Sequence, residues 1–369
     1  MQASIRLLAA DLHYPKDLQL HTAASGLIGT LSARYLKIDR SDGFRGIGEI
    51  RANITYLSKL PEAAVDPAIR GLCRMLPWTA PPEDILSALQ KVAPQVPHVA
   101  SAAVENALLD GMAQSKKIPV AELLGGAWCP AVDTNQCLFW SPDQTFDRLA
   151  ARFLSEGFRQ LKVRIAIASF EADLARLQRL RERVGPSVSI AVDANGAWNA
   201  DEAVERLPQL ERFDLSYVEQ PTHPGDWDAF DRVLKRTAIP LMLDEGLASN
   251  GDIDRLAAIG APALAHLKIV KLGGPSAVIG AMRRLSNAGV GVMIGQMNEG
   301  AMATAITAHC AMALKPRYAE LYGCYGLVDD VTRGVTYANG AISVPNAPGL
   351  GVTFDAARCR EVWAERVTK

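Results

Sequence analysis

Three short segments each carry an apolar run to a carboxylate: Ala191-Val-Asp193-Ala-Asn195-Gly196, Tyr217-Val-Glu219-Gln-Pro221 and Leu241-Met-Leu-Asp244-Glu245-Gly246. Glu219 follows Asp193 by 26 residues, and Asp244 follows Glu219 by 25. A β-strand with its return helix consumes about that many residues, so equal spacing sets the three acids side by side on one rim. Carboxylates that close repel one another unless a cation neutralises them. An all-oxygen ligand set selects a hard divalent ion, Mg²⁺ before Mn²⁺. Taken singly, each acid has an ordinary use as a helix cap or turn residue. The periodic trio is what points to Asp193, Glu219 and Asp244 as metal ligands.

Cations flank this trio. Leu161-Lys162-Val163-Arg164-Ile165 alternates like a strand, which puts Lys162 and Arg164 on one face, towards the mouth of whatever the strands enclose. His266-Leu-Lys268-Ile-Val-Lys271-Leu-Gly-Gly274 places Lys268 24 residues past Asp244, at the next rim position. A lysine inside an apolar strand is expensive unless it is paired or functional, the ordinary alternative being a solvated lysine on an edge strand. The circular order is then cation, three acids, cation. Such a set would hold a substrate carboxylate on the metal and let an amine remove the neighbouring proton. The ion takes up the charge of the resulting enediolate and depresses the lysine pKa.

The elements that must position these residues repeat. Strand candidates lie at 132–138, 160–165, 189–192, 216–218, 240–243, 264–269, 291–294 and 317–321, with amphipathic helical stretches between them, for example 170–184 and 276–288. Eight such units predict an α/β protein with a (β/α)8 TIM-like barrel over 126–330, catalytic groups sitting at the C-terminal ends of its strands. A doubly wound open sheet is the alternative, weakened because no G-x-G-x-x-G follows an early strand. Residues 1–125 read as an α+β capping domain: 32–38 alternates as a strand, Ser41-Asp-Gly43 turns, and 82–124 carries helical patterns. The tail, 331–369, is expected to return to that domain.

The chain has 369 residues with 49% apolar, enough for a barrel and a smaller companion domain. Its 39 basic and 40 acidic residues give a net charge of −1, which argues against nucleic-acid or membrane-surface partners. No apolar run approaches the roughly 18 residues of a membrane span, and the first residues lack a signal-peptide pattern, so a cytoplasmic location is expected. The six cysteines form no C-x-x-C pair and are read as ordinary thiols.

These motifs resemble the enolase superfamily, in its mandelate racemase and muconate lactonizing enzyme branch. Gly46-Ile-Gly-Glu49, Val104-Glu-Asn-Ala-Leu-Leu-Asp110, Pro119 and Leu123-Leu-Gly-Gly126 are similar to the capping domain of that family. Val192-Asp193, Val218-Glu219-Gln-Pro221, Leu243-Asp244-Glu245 and the run from Lys268 to Gly274 are similar to its barrel. The resemblance implies Mg²⁺ held by Asp193, Glu219 and Asp244, Lys268 as acid and base, and a capping domain that closes over the barrel and sets specificity. Loops around 21–29 and 51–56 become candidates for substrate contact, with Arg51 and Tyr56 in the second and Asn195 on the rim. Ile294-Gly-Gln-Met-Asn-Glu299-Gly-Ala resembles the muconate lactonizing type and makes Glu299 a further substrate-side candidate. Gln296 to Asn298 stand where racemases of the mandelate type carry a catalytic histidine, so His309 is given no such role.

One position departs from the family pattern of Lys-x-Lys on the second strand: the second lysine is Arg164. A guanidinium holds its proton too tightly to act as an ordinary base and is suited instead to binding anions. With Lys162 supporting the carboxylate and Lys268 the one clear base, the preferred expectation is cycloisomerisation or dehydration of a small carboxylic acid. A racemase or epimerase of an amino-acid derivative is the alternative, and a barrel that only binds its ligand is a third reading. A symmetric homo-oligomer is expected.

Overall fold

A computed structural model describes residues 1–18 and 20–368. Eight parallel strands run in sequence order around a barrel: Gln136–Leu138, Gln160–Arg164, Ser189–Asp193, Leu215–Glu219, Leu241–Leu243, Leu264–Lys268, Gly291–Gly295 and Tyr318–Glu320. The first and eighth approach through the amide of Asn135, which donates to Ala319 O at 3.1 Å, and through Leu321 N, which donates to Thr134 Oγ1 at 2.8 Å. Every strand except the last is followed by a helix, as the repeat of 25 to 26 residues requires. After Glu320 the described chain leaves the barrel in short strands instead.

The helices start where the sequence supplies caps. Asn199 and Glu202 form a reciprocal capping box at the head of Ala200–Leu210, each bond 2.9 Å. Ser169, Asp226 and Ser249 cap the helices Phe170–Val184, Trp227–Leu234 and Asn250–Ile259. Helices Pro275–Asn287 and Ala301–Leu314 begin after glycines and have no cap of their own.

The first domain supplies those missing caps. Its sheet is antiparallel, in the order Arg360–Thr368, Gln2–His13, Thr30–Arg40, Arg45–Arg51, so the chain's last strand pairs with its first long one. The buried helix His98–Lys116 packs on this sheet, and Gly46 and Gly48 admit it: a Cβ on either would collide with the backbone at Ala107. Glu105 of that helix accepts from Ser276 N at 2.8 Å, at the head of Pro275–Asn287. Glu49 accepts from Gly300 N at 2.7 Å and Ala303 N at 3.0 Å, at the head of Ala301–Leu314. Each such cap contributes about 1 kcal/mol. Together they fix the capping domain against the barrel helices that follow strands six and seven.

Some expected boundaries moved. The candidate at 132–138 splits: Val132–Asp133 pairs with the tail strand Ala341–Ser343, and only Gln136–Leu138 enters the barrel. The expected strand at 32–38 spans Thr30–Arg40. All six cysteines are free thiols. Among the described residues no helix is long and apolar enough to cross a membrane.

Candidate active site

Register sets the rim. Asp193 and Glu219 pair as the last residues of strands three and four, Arg164 pairs with Asp193, and Asp244 directly follows strand five. Lys268 ends strand six. The acids and Lys268 are therefore neighbours around one edge, and all are buried.

Lys268 Nζ donates to Asp244 Oδ2, and Lys271 Nζ lies 2.8 Å from Asp244 Oδ1. Both oxygens of this carboxylate thus face an ammonium. Burial alone would push Asp244 up, but the ammonium groups of Lys268 and Lys271 outweigh it and hold the group well below the usual carboxylate range. Burial opposes the charge on Lys268, while Asp244, Glu320 and Glu219 overcome it and raise the pKa above its ordinary value. Asp193 is pushed up to about 6 by burial, against the pull of Arg164, whose Nη1 donates to Asp193 Oδ2. Glu219 is also raised, chiefly by burial.

Lys162 lies deeper than the mouth position that alternation predicts. It is fully buried inside the barrel, 3.0 Å from Glu219 Oε2, 3.6 Å from Asp193 Oδ2 and ion-paired with Glu320. Glu320 ends strand eight and had no place among the sequence candidates. Burial would raise it, but Lys162 and Lys268 carry it below its ordinary value. His266, beneath Lys268 on strand six, sets its Nδ1 2.9 Å from Glu219 Oε1. A carboxylate can only accept, so Nδ1 carries the proton. Burial keeps this imidazole neutral.

Ligand atoms of Glu219, Asp244 and His266 lie within 4.8 Å of one another. Since His266 spends its Nδ1 on Glu219, we read it as orienting that carboxylate rather than as a ligand. Asp193 borders the same cluster, its carboxylate drawn towards Arg164 and Lys162. Four cations now balance these acids: Lys162, Arg164, Lys268 and Lys271. Buried carboxylates that require this much compensation, in an oxygen-rich setting, fit a hard divalent ion.

Above them is a small cleft of about 30 Å³ between barrel and capping domain. Arg164, Asn195, Asp244, Glu245 and Lys268 line it from the barrel; Thr22, Ser25, Arg51 and Tyr56 line it from the cap. Asn195 holds a left-handed backbone (φ 46°) and bridges the rim, accepting from Arg164 and donating to Glu245 Oε1 at 3.0 Å. Burial and the charges of Asp244 and Asp193 push Glu245 up to about 7. Arg51 is tied down by Asn53 Oδ1 at 2.7 Å and by Asn298 O. Glu299 is buried behind the cleft wall, accepting from Met297 N at 3.2 Å, with burial raising it to about 7. His309 is far from this chemistry in function: it accepts from Ala121 N and holds the cap to the barrel.

The barrel thus carries a buried rim of three carboxylates with an amine on the next strand, beneath a separate α+β domain. Residues 145–358 match the family described as enolase C-terminal domain-like, and the chain belongs to the enolase superfamily, in its mandelate racemase/muconate lactonizing enzyme family. It is 29% identical to muconate cycloisomerase 1 of Pseudomonas putida, over 93% of this chain and 92% of that one. It is 31% identical to L-Ala-D/L-Glu epimerase of Bacillus subtilis (strain 168), over 69% and 70%. The solved substrate complex of the Bacillus subtilis epimerase superposes with a TM-score of 0.86 at 27% identity, covering 94% of this chain and 97% of that one. Muconate lactonizing enzyme from Pseudomonas fluorescens, solved with muconolactone, gives 0.87 at 26%, covering 96% of each.

Proposed function

We propose that this enzyme catalyses a one-base proton transfer at the carbon next to a substrate carboxylate, giving cycloisomerisation or dehydration of a small carboxylic acid. The observation that carries this reading is the asymmetry of the cleft. It is lined by an amine, Lys268, on one side and a guanidinium, Arg164, on the other. Only the amine can give up and take back a proton near neutrality.

Asp193, Glu219 and Asp244 would hold Mg²⁺, with Mn²⁺ a substitute. When bound, the ion supplies charge that stabilises a developing enediolate and offsets the carboxylates that keep Lys268 protonated. In the eliminating sense, the Cα–H bond breaks, its proton passes to Lys268 Nζ and the electron pair enters the enediolate. The enediolate then collapses as the Cβ–O bond breaks, and Lys268 returns the proton it took to the leaving oxygen, which departs as water. In the cycloisomerising sense, a second carboxylate of the substrate adds to a conjugated double bond and Lys268 delivers the proton to Cα. Arg164 offers hydrogen bonds to the anion, and Lys162 and His266 fix the carboxylate of Glu219.

Epimerisation of an amino-acid derivative is the second reading, favoured by the 31% identity to an epimerase. It requires a proton donor on the Arg164 side.

The test is a panel of small carboxylates incubated in D2O with Mg²⁺ and followed by NMR for deuterium at Cα and for product. The reading expects turnover or isotope uptake by at least one member, lost on chelation and restored by Mg²⁺. Activity indifferent to chelator contradicts it.

A further inference from the structure

The turn that follows Lys268 is held from outside the barrel. Strand six ends at Lys268, and the chain passes directly into the four-residue helix Ile269–Leu272 and then Gly273-Gly274. So short a helix has few internal bonds, and its last carbonyls find no partner further along it. Ile269 O is met by the amides of Gly273 and Gly274 at 3.0 and 3.1 Å, through the left-handed turn at Gly273 (φ 98°). The carbonyl of Lys271 is met by the capping domain instead: His98 Nδ1 lies 2.7 Å from it. A carbonyl only accepts, so Nδ1 carries the proton.

His98 opens the long helix His98–Lys116, and Glu105 stands seven residues on, two turns along the same face. Both grip this one turn. The imidazole lies against Gly273, where an added Cβ would stand 3.4 Å from its Cδ2. The Glu105 carboxylate fills the space that a Cβ on Gly274 would need. A second helix of the capping domain, Thr55–Ser58, packs on Ile269–Leu272 as well and carries Tyr56 of the cleft.

The clasped turn bears two ammonium groups. Lys268 precedes it, Lys271 lies within it, and both reach Asp244. Lys271 is thereby fixed at both ends. The barrel holds its Nζ through Asp244 and His266, and the capping domain holds its carbonyl through His98. His98 is half-buried at the domain boundary and does not line the cleft.

We propose that His98 is a positioning residue for the catalytic base. Its hydrogen bond to the Lys271 carbonyl keeps Lys268 and Lys271 in register with Asp244, so proton transfer depends on how the capping domain sits on this turn. The proposal rests on the reading of Lys268 as the base. A displacement of about 1 Å at a catalytic group costs on the order of a hundredfold in rate, and the bond from His98 opposes shifts on that scale.

The experiment compares the Mg²⁺-loaded parent with His98→Ala, His98→Asn and His98→Gln. Asparagine carries its amide nitrogen at the place of Nδ1 and glutamine at the place of Nε2, so asparagine alone restores the bond. Amide hydrogen exchange is followed by mass spectrometry over residues 269–276, with 301–314 as the reference segment. Deuterium uptake at Cα is followed with the small carboxylate of the panel that the parent processes fastest. In His98→Ala, exchange over 269–276 is expected to quicken roughly tenfold while the reference segment is unchanged. The kcat of the same variant is expected to fall roughly tenfold or more, with KM within about twofold of the parent. His98→Asn restores both and His98→Gln neither. An unchanged turn in His98→Ala, or a loosened turn with the parental kcat, overturns the proposal. So does a loss of activity that asparagine leaves unrepaired. A turn that loosens with alanine and tightens with asparagine, in a protein that takes up deuterium with no panel member, supports the clamp and counts against the one-base reading.

Discussion

Lys271 and Asp244 form a buried ion pair, Nζ to Oδ1 2.8 Å, just past the strand end that carries Lys268. Lys271 also donates to the backbone oxygens of Asp244 and His266, the latter at 2.8 Å. It therefore ties the end of strand five to strand six and fixes the carboxylate that the base also touches. Burial lowers its pKa, yet three acceptors surround the ammonium.

Removing Lys271 takes from buried Asp244 one of its two ammonium partners and leaves Oδ1 and two backbone oxygens without their shared donor. Lys271→Met is expected to cost about 3–5 kcal/mol of stability. Thermal or denaturant unfolding checks this, and a change below about 1 kcal/mol would show that the pair is not a structural tie.

Glu105 joins the two domains and titrates in an accessible range. Burial raises its carboxyl to about 7 from 4.5. A group that binds its proton more tightly when folded stabilises the fold most below its unfolded pKa. That contribution fades as pH rises through 7. Glu105→Gln keeps an acceptor for Ser276 N and removes the titration. The melting temperature of the variant relative to the parent should rise between pH 5 and pH 8. Parallel curves across that window would refute the role.

Much of this rim is legible in the chain because barrel register converts even spacing into adjacency. The intervals between Asp193, Glu219, Asp244 and Lys268 correspond to one strand step each, and the structure pairs Glu219 with Asp193 directly. Glu320 escaped because closure of the barrel, not sequence proximity, brings it to Lys162, and its strand is three residues long. His266 carried a signal that went unused: it is two residues before Lys268 on the same strand and so shares its face. Lys271 did not, because the chain turns into the short helix Ile269–Leu272 after Lys268 and alternation no longer applies. The depth of Lys162 was equally hidden, since alternation gives a face and not a layer. The caps from Glu49 and Glu105 join residues 171 or more positions apart, beyond any local pattern.

Arg164 sets the proposed one-base chemistry, and replacing it tests that directly. Arg164→Lys places an amine where the guanidinium stood while keeping a cation for Asp193. Isotope exchange with both enantiomers of a chiral substrate is expected to appear in the variant, where the parent exchanges one. Equal exchange of both enantiomers by the parent protein would favour the epimerase reading instead.

The most direct measurement is deuterium incorporation at the α-carbon by Lys268→Ala, alongside the parent protein, with Mg²⁺ in D2O. Loss of a positioned base is expected to slow incorporation by roughly a thousandfold while the fold, read by melting temperature and circular dichroism, persists. Incorporation by a folded Lys268→Ala at the parental rate would contradict the assignment of Lys268 as the base.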